Sequence, residues 1–250
     1  LQPIAGTRGS VTSLFQPPPC SAPQHSTTAA GLPGGGISPR PGELSLAHGG
    51  VLFLDELTEF PRSILDQLRQ PLEEGVLWIS RARLRCSFPC RVTLVAATNP
   101  CPCGWHGDSS NRCRCSPLQR QRYWNRLSGP FLDRLDLQCR LDPVPTGQLR
   151  RCFKTTDDFK ENPTEDSFSP DAIQAARIRM CQRNPGGQLN SQLSALELGR
   201  SGQIEEQAFQ CWEQVVSKRQ LSMRSSLRLL RVARTIADLE ARPKVGEQQL

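Results

Sequence analysis

The 250-residue sequence contains no apolar run approaching the length of a bilayer span, which excludes an ordinary membrane-crossing helix. No basic cluster followed by an apolar stretch opens it, so no secretory signal peptide is expected. It does not begin with Met, and the expectation is a fragment or a processed chain. Nowhere does G-x-x-x-x-G-K followed by Ser or Thr occur, which excludes from these residues the loop whose backbone N–H groups and lysine cradle a triphosphate. What is present is ample for a core: 37% of the residues are hydrophobic. The net charge of +7 favours an anionic partner such as a nucleotide or nucleic acid, although solubility alone also explains a charge of that size. Eleven cysteines are an odd total, which argues against a complete disulfide framework. Four of them, Cys101, Cys103, Cys113 and Cys115, crowd together, which points to metal or redox chemistry in a reducing, cytoplasmic compartment.

Residues 1 to 50 are rich in Pro, Gly and Ser, as in "QPPPC" and "GLPGGGISPRPGE", and are expected to form loops and turns with little core of their own. Val51 to Leu54 is a short continuous apolar run, the pattern of a strand covered on both faces. From Pro61 to about Gln70, residues Ile64, Leu65 and Leu68 repeat at helical spacing. Pro71 is expected to bend or end that helix, and Gly75 to close the element. "GVLWISRARLRCSF" predicts two short strands around a tight connection, and "RVTLVAATN", 91–99, a second buried strand ending in a polar residue. The stretch 116–136 reads as helical and basic, and "TTDDFKENPTED" as a solvated linker. Beyond it the chain is expected to be helical, with helices starting at Ser169-Pro170-Asp171, covering about 203–218, and running from Ser222 to Glu240. The fold class expected is α/β, with a parallel-sheet core over residues 1–146 and an α-helical domain over 147–250.

Two strands, one ending in Asp55-Glu56 and the other in Asn99, are what a nucleoside-triphosphatase core needs. A carboxylate at a strand's C-terminal edge holds Mg²⁺, its neighbour orients the attacking water, and an amide on the adjacent strand positions the terminal phosphate. The alternative is that the two acids merely cap the next helix, where the dipole favours negative charge.

Beyond these residues, "GELSLAHGGVLFLDELTEF", "LRQPLEEGVLWISR", "NPCPCG", "CRCSP", "SGPFLDRLDL" and "LRVARTIADL" together resemble the magnesium-chelatase-like AAA+ ATPases, most closely their YifB/ComM branch of competence-associated proteins. The resemblance covers roughly residues 22–250. It implies an AAA+ three-layer core followed by a helical lid, with ATP and Mg²⁺ as ligands. Asp55 matches the Walker B carboxylate, Glu56 the catalytic glutamate and Asn99 the sensor-1 position. Arg134 matches the arginine finger that reaches a neighbouring subunit's γ-phosphate, and Arg224 the sensor-2 arginine, with Arg228 its competitor one turn later. Two departures stand out. The family's phosphate-cradling loop is missing, so this chain alone is not expected to hydrolyse ATP. Where the family shows two consecutive histidines, Gln24 precedes His25.

The cysteines read C-x-C-x₉-C-x-C, with Gly104 and Gly107 between the pairs. Four thiolates close a tetrahedral zinc site, and that reading is preferred here to free thiols. Cys86 and Cys90 are expected to be packing residues. The hairpin tip carries Arg81, Arg83 and Arg85; in related AAA+ rings, hairpins at this place line the central pore, and alternating arginines suit a phosphate backbone. Trp78 is expected in the core rather than stacked on a base.

The function expected is that of an AAA+ ATPase subunit in a homo-oligomeric ring, a hexamer. It acts on single-stranded or branched DNA as a helicase or translocase in recombination or transformation. The alternatives are a non-catalytic zinc- and DNA-binding relative and a metal-chelatase ATPase subunit.

Overall fold

The computed structural model describes residues 18–28, 30–36, 39–81, 84–108, 111–142 and 169–250, with backbone alone at 81 and 84. The chain divides into two units, Leu1–Leu135 and Asp136–Leu250. The boundary expected at residue 146 and the acidic segment beyond it lie outside the described residues.

The first unit runs β1 (Cys20–Ser21), β2 (Gly34–Gly35), β3 (Arg40–Pro41), α1 (Glu43–Leu46), β4 (Val51–Leu54), α2 (Arg62–Gln67), α3 (Arg69–Glu74), β5 (Val76–Arg81), β6 (Leu84–Pro89), β7 (Thr93–Ala96), α4 (Pro117–Trp124) and α5 (Gly129–Leu132). It is the α/β arrangement the sequence predicts. A parallel sheet has the order β1-β4-β7, with Leu52 beside Leu94 and Leu54 beside Ala96. Gly50 sets its first rung: Val51 donates to Pro19 O and Thr93 to Gly50 O, both at 2.9 Å. A Cβ on Gly50 would stand 1.8 Å from Pro19 O, so only glycine allows that approach. Leu52 and Leu54 are fully buried among Leu32, Leu44, Leu65, Leu68 and Phe131.

Several expectations are corrected. Among the described residues the sheet alternates instead of being covered on both faces: Leu52 and Leu54 are buried, Val51 and Phe53 half-buried and Val95 44% exposed. The Gly/Pro-rich start is not coreless, since Leu32 and Leu44 are fully buried and β1 joins the sheet; isolated leucines between glycines escape any test of periodicity. The helix break falls at Leu68, between α2 and α3, while Pro71 lies within the first turn of α3. Lacking an N–H, Pro71 has nothing to donate to the Gln67 carbonyl, so its effect is felt one turn upstream. The stretch 116–136 is two short helices, the second entered through Ser128, whose hydroxyl donates to Asp66 Oδ1 at 2.5 Å. Trp78 is outside the core, 51% exposed. On the antiparallel β5–β6 hairpin Trp78 pairs with Ser87, and the Arg85 guanidinium covers its ring at 4.8 Å. The packing role expected of Cys90 holds, as burial pushes its thiol up to about 11.

The second unit contains α6 (Pro170–Arg183), α7 (Ala195–Ser201), α8 (Glu206–Arg219) and α9 (Met223–Leu239). Ser169, Ser194 and Ser222 cap the starts of α6, α7 and α9 by accepting backbone N–H bonds. Leu193, Leu198 and Leu230 make one core cluster with Phe209 and Trp212. Beside it lies a buried polar network. Arg234, fully buried, donates to Asp238 Oδ1 and to the carbonyls of Gly202, Arg242 and Pro243. Arg183 and Asn190 complete the shell around Asp238. No helix among the described residues is long and apolar enough to cross a membrane.

Burial alone would raise the Asp238 pKa, but hydrogen bonds from Arg183 and Asn190 and the field of Arg234 outweigh it and hold the carboxyl below the usual range. A depressed folded pKa stabilises above the unfolded value, and that contribution is lost as pH falls through the folded one. Asp238→Ala should therefore destabilise the helical unit by about 3–5 kcal/mol, because it strands Arg234 in the interior. Denaturant titration at neutral pH tests this, and the gap between variant and parent should narrow below about pH 4.

Candidate functional site

The β4–β7 pairing delivers two chain segments to one edge of the sheet. Ala97 N–H donates to Leu54 O and Leu57 N–H to Ala97 O, both at 2.9 Å, so the segments stay laced beyond the last rung. The Thr58 and Thr98 hydroxyls meet at 3.0 Å behind them. Between these ties the chain turns sharply at Glu56, which adopts a left-handed conformation (φ 50°, ψ 47°), and Asp55 Oδ1 accepts the Glu56 N–H at 2.8 Å. Both carboxylates are exposed. Glu56 makes no side-chain cap to the 3₁₀ turn Leu57–Glu59, and α2 begins only at Arg62. The helix-cap alternative therefore has no hydrogen bond behind it at Glu56.

Glu56 Oε2 instead faces His25 Nδ1 at 3.2 Å, and the His25 ring sits edge-on to Phe60. Sequence reasoning noted His25 as the survivor of a pair and gave it no role; its position a few residues past β1, the strand beside β4, brings it to Glu56. Asn99 emerges exposed from the end of the β7 segment. Gly104 of the cysteine loop lies against it, such that an added Cβ would stand 3.8 Å from Asn99 Oδ1.

The four clustered cysteines converge. Their Sγ atoms all lie within 4.8 Å of one another, with Cys101–Cys103 at 3.3 Å, Cys103–Cys113 at 3.7 Å and Cys101–Cys113 at 3.8 Å. Tetrahedral thiolates about 2.3 Å from a Zn²⁺ ion are separated by about 3.8 Å, so the donor set fits that ion. Gly104 and Gly107 take left-handed turns that fold one pair back onto the other. Arg120 donates to Cys115 O at 2.6 Å and Trp124 Nε1 to Pro100 O at 3.1 Å, pinning both ends of the loop to α4. The backbone at Trp105, then the Cys101 thiol, lower the Cys103 pKa to about 6, whereas its bond to Cys103 and burial push Cys115 up to about 11.

The arginines differ in their local settings. Arg134 is turned inward: its side chain is 11% exposed, donates to Arg69 O and Pro130 O, and pairs with Glu73 at 2.9 Å. Arg224 is exposed in the first turn of α9, with Arg228 half-buried one turn on. Of the hairpin arginines only Arg85 has a described side chain; Arg83 and the Arg81 side chain lie outside the described residues.

An α/β core with a parallel sheet, followed by a separate helical unit, is an AAA+-like architecture. The chain belongs to the magnesium chelatase ChlI family: the family model "Magnesium chelatase, subunit ChlI" matches residues 2–149, and the model of its C-terminal region matches residues 169–250. It is 43% identical over 250 residues to the competence protein ComM of Haemophilus influenzae, covering 96% of this chain and 46% of that protein. It is 41% identical over 242 residues to the YifB protein of Escherichia coli, with the same coverage of both. A weaker similarity, 30% over 143 residues, joins 54% of this chain to 14% of the DNA replication licensing factor MCM2 of Arabidopsis thaliana. The chain spans about half the length of the first two relatives.

If the thiols close on one ion, protein purified under reducing conditions without chelator should contain about one zinc per chain by elemental analysis. Cys113→Ser with Cys115→Ser should release it and leave the sheet folded, because neither residue belongs to a strand. Protons compete for the thiols, so zinc affinity should fall as pH is lowered, which competition with a chromogenic chelator reads directly.

Proposed function

We propose that this chain carries the water-activating and metal-holding side of an ATP site in a ring-forming AAA+ motor that acts on DNA. The observation behind the proposal is the pair of laced strand ends that present Asp55-Glu56 and Asn99 at one sheet edge, with Glu56 uncommitted to a helix cap. Asp55 and Glu56 are hard oxygen donors in the open, the kind that suits Mg²⁺. Bound there, the ion would neutralise charge between the β- and γ-phosphates.

The remaining work belongs to the side chains. The Glu56 carboxylate accepts a hydrogen bond from the attacking water and takes its proton. The Asn99 amide holds a γ-phosphate oxygen, and Arg224 takes the family's sensor-2 role. The phosphate-cradling loop is not among these 250 residues and has to be supplied by other residues of the same machine. Arg134 acts as the finger toward a neighbouring subunit, a role that requires its pair with Glu73 to open when the ring closes.

The DNA substrate is supported by the similarity to MCM2, whose name places it in DNA replication, and to the competence protein ComM. It is also supported by the exposed Trp78–Arg85 stack on the hairpin. A hexameric ring and a role in transformation or recombination complete the reading. The second reading is a non-catalytic zinc- and DNA-binding protein, supported by the converging thiols and the net positive charge.

In a polypeptide that includes the phosphate-cradling loop, Glu56→Gln should retain ATP binding and lose at least about 100-fold in turnover, as expected when a general base is removed. Steady-state hydrolysis beside equilibrium nucleotide binding decides it: normal turnover in the variant would leave the second reading standing.

Arg134→Ala should be inactive alone yet recover hydrolysis when mixed with the Glu56→Gln subunit, since a mixed ring sets an intact Arg134 against an intact Glu56. Titrating one variant into the other and following phosphate release checks this, and a flat response in assembled rings would refute the finger role.

A further inference from the structure

The cysteine loop carries features that metal binding does not use. Along C-x-C the side chains alternate sides, so folding Cys113 and Cys115 toward the cluster turns Arg112 and Arg114 outward. The burial follows this pattern: both cysteines are half-buried and both arginines exposed. The Arg112 guanidinium lies over the Trp105 ring, its Cζ 3.5 Å from the centroid. It is fixed there by Asp108, which accepts from Arg112 Nε at 3.1 Å and from Nη2 at 2.6 Å. The Asp108 side chain is almost fully covered, so carboxylate, guanidinium and indole form a layered stack rooted in the loop. Trp105 remains 43% exposed. Residues 101–126 contain five arginines against Asp108 as the one acid. Four thiolates on Zn²⁺ would contribute a charge of about −2 to the same region, which leaves it positive.

We propose that this loop is a second nucleic-acid contact, separate from the hairpin: a metal-stapled platform on which Trp105 stacks an unpaired base while Arg114 holds the adjoining phosphate. The platform rests on the nucleic-acid reading above and deepens it. A rigid indole with an open surface is sequence-tolerant, because every base has a π-face, and it demands a strand whose bases are unpaired. Preorganisation by Arg112 and Asp108 lowers the ordering cost of the contact. The metal displays both arginines, so ligand binding and metal loading are linked.

The test uses the zinc-loaded 250-residue chain with dye-labelled strands of about 16 nucleotides, the upper end of the site sizes known for stacking folds. Single-stranded DNA, single-stranded RNA and duplex DNA are compared by anisotropy. A bromodeoxyuridine-substituted single strand is photo-crosslinked and the adduct mapped by mass spectrometry. Single strands should bind more tightly than duplex, and the adduct should fall on Trp105; a preference for DNA or RNA then names the source of the strand. Trp105→Ala should weaken binding about 5- to 100-fold with zinc content unchanged, and Trp105→Phe should restore it. Arg114→Ala should lower the salt dependence by about one released counterion. Stripping the zinc should abolish the Trp105 adduct.

Knuckle variants that bind like the parent while Arg85→Ala binds weakly would overturn the platform and leave the DNA-motor reading intact. Duplex bound as tightly as single strands would overturn stacking. A parent chain that binds no nucleic acid would overturn both readings together.

Discussion

The parallel pairing of β4 with β7 is the constraint on which the rest of the first unit depends. Parallel strands share a direction, so their carboxyl ends open onto the same edge, and whatever follows them is brought together without further design. Here Asp55 and Glu56 follow one strand and Asn99 the other. At the opposite end Val51 N–H and Gly50 O bond to the two neighbouring segments, and Leu57 and Ala97 lock the exit. Buried Leu52 and Leu54 resist any one-residue slip, since a slip would turn them out of the core.

The cysteine loop is the direct continuation of that second strand. Cys101 comes two residues after Asn99, Gly104 packs against the Asn99 amide, and Pro100 is held by Trp124. A loop with so few apolar residues has little to fold around; closing four thiols on an ion supplies the order that packing supplies elsewhere. The helical unit solves the same problem differently, with a buried carboxylate surrounded by guanidinium and amide donors.

Much of this was legible in the residues. The two strands, the hairpin, the helices begun at Ser169 and Ser222, the helix over 206–219 and the four converging cysteines follow from apolar runs, cap residues and spacing, whereas the short helix capped by Ser194 was not read. The failures share a cause: periodicity reports on a segment, not on what lies beside it. Leu32 and Leu44 lie on two segments that Gly34 and Gly42 let come together. Trp78 is exposed, and Arg85, diagonal to it across the hairpin, offers its ring a partner outside the core. The meeting of His25 with Glu56 depends on β1 pairing beside β4, and a two-residue strand leaves no periodic trace. The motif that matches Arg134 to the arginine finger likewise says nothing of its ties to Glu73 and Arg69 O, which tertiary structure sets.

The backbone at Glu56 carries a further consequence. A left-handed φ costs an ordinary L-residue about 1–2 kcal/mol that glycine does not incur. Position 56 is therefore a place where chain comfort and chemistry disagree. Selection for heat resistance alone would drift toward glycine or asparagine there, and would yield a sturdier protein without the glutamate. A thermostability screen on this fold has to hold that position fixed, or it will improve the scaffold by erasing the residue the turn exists to display.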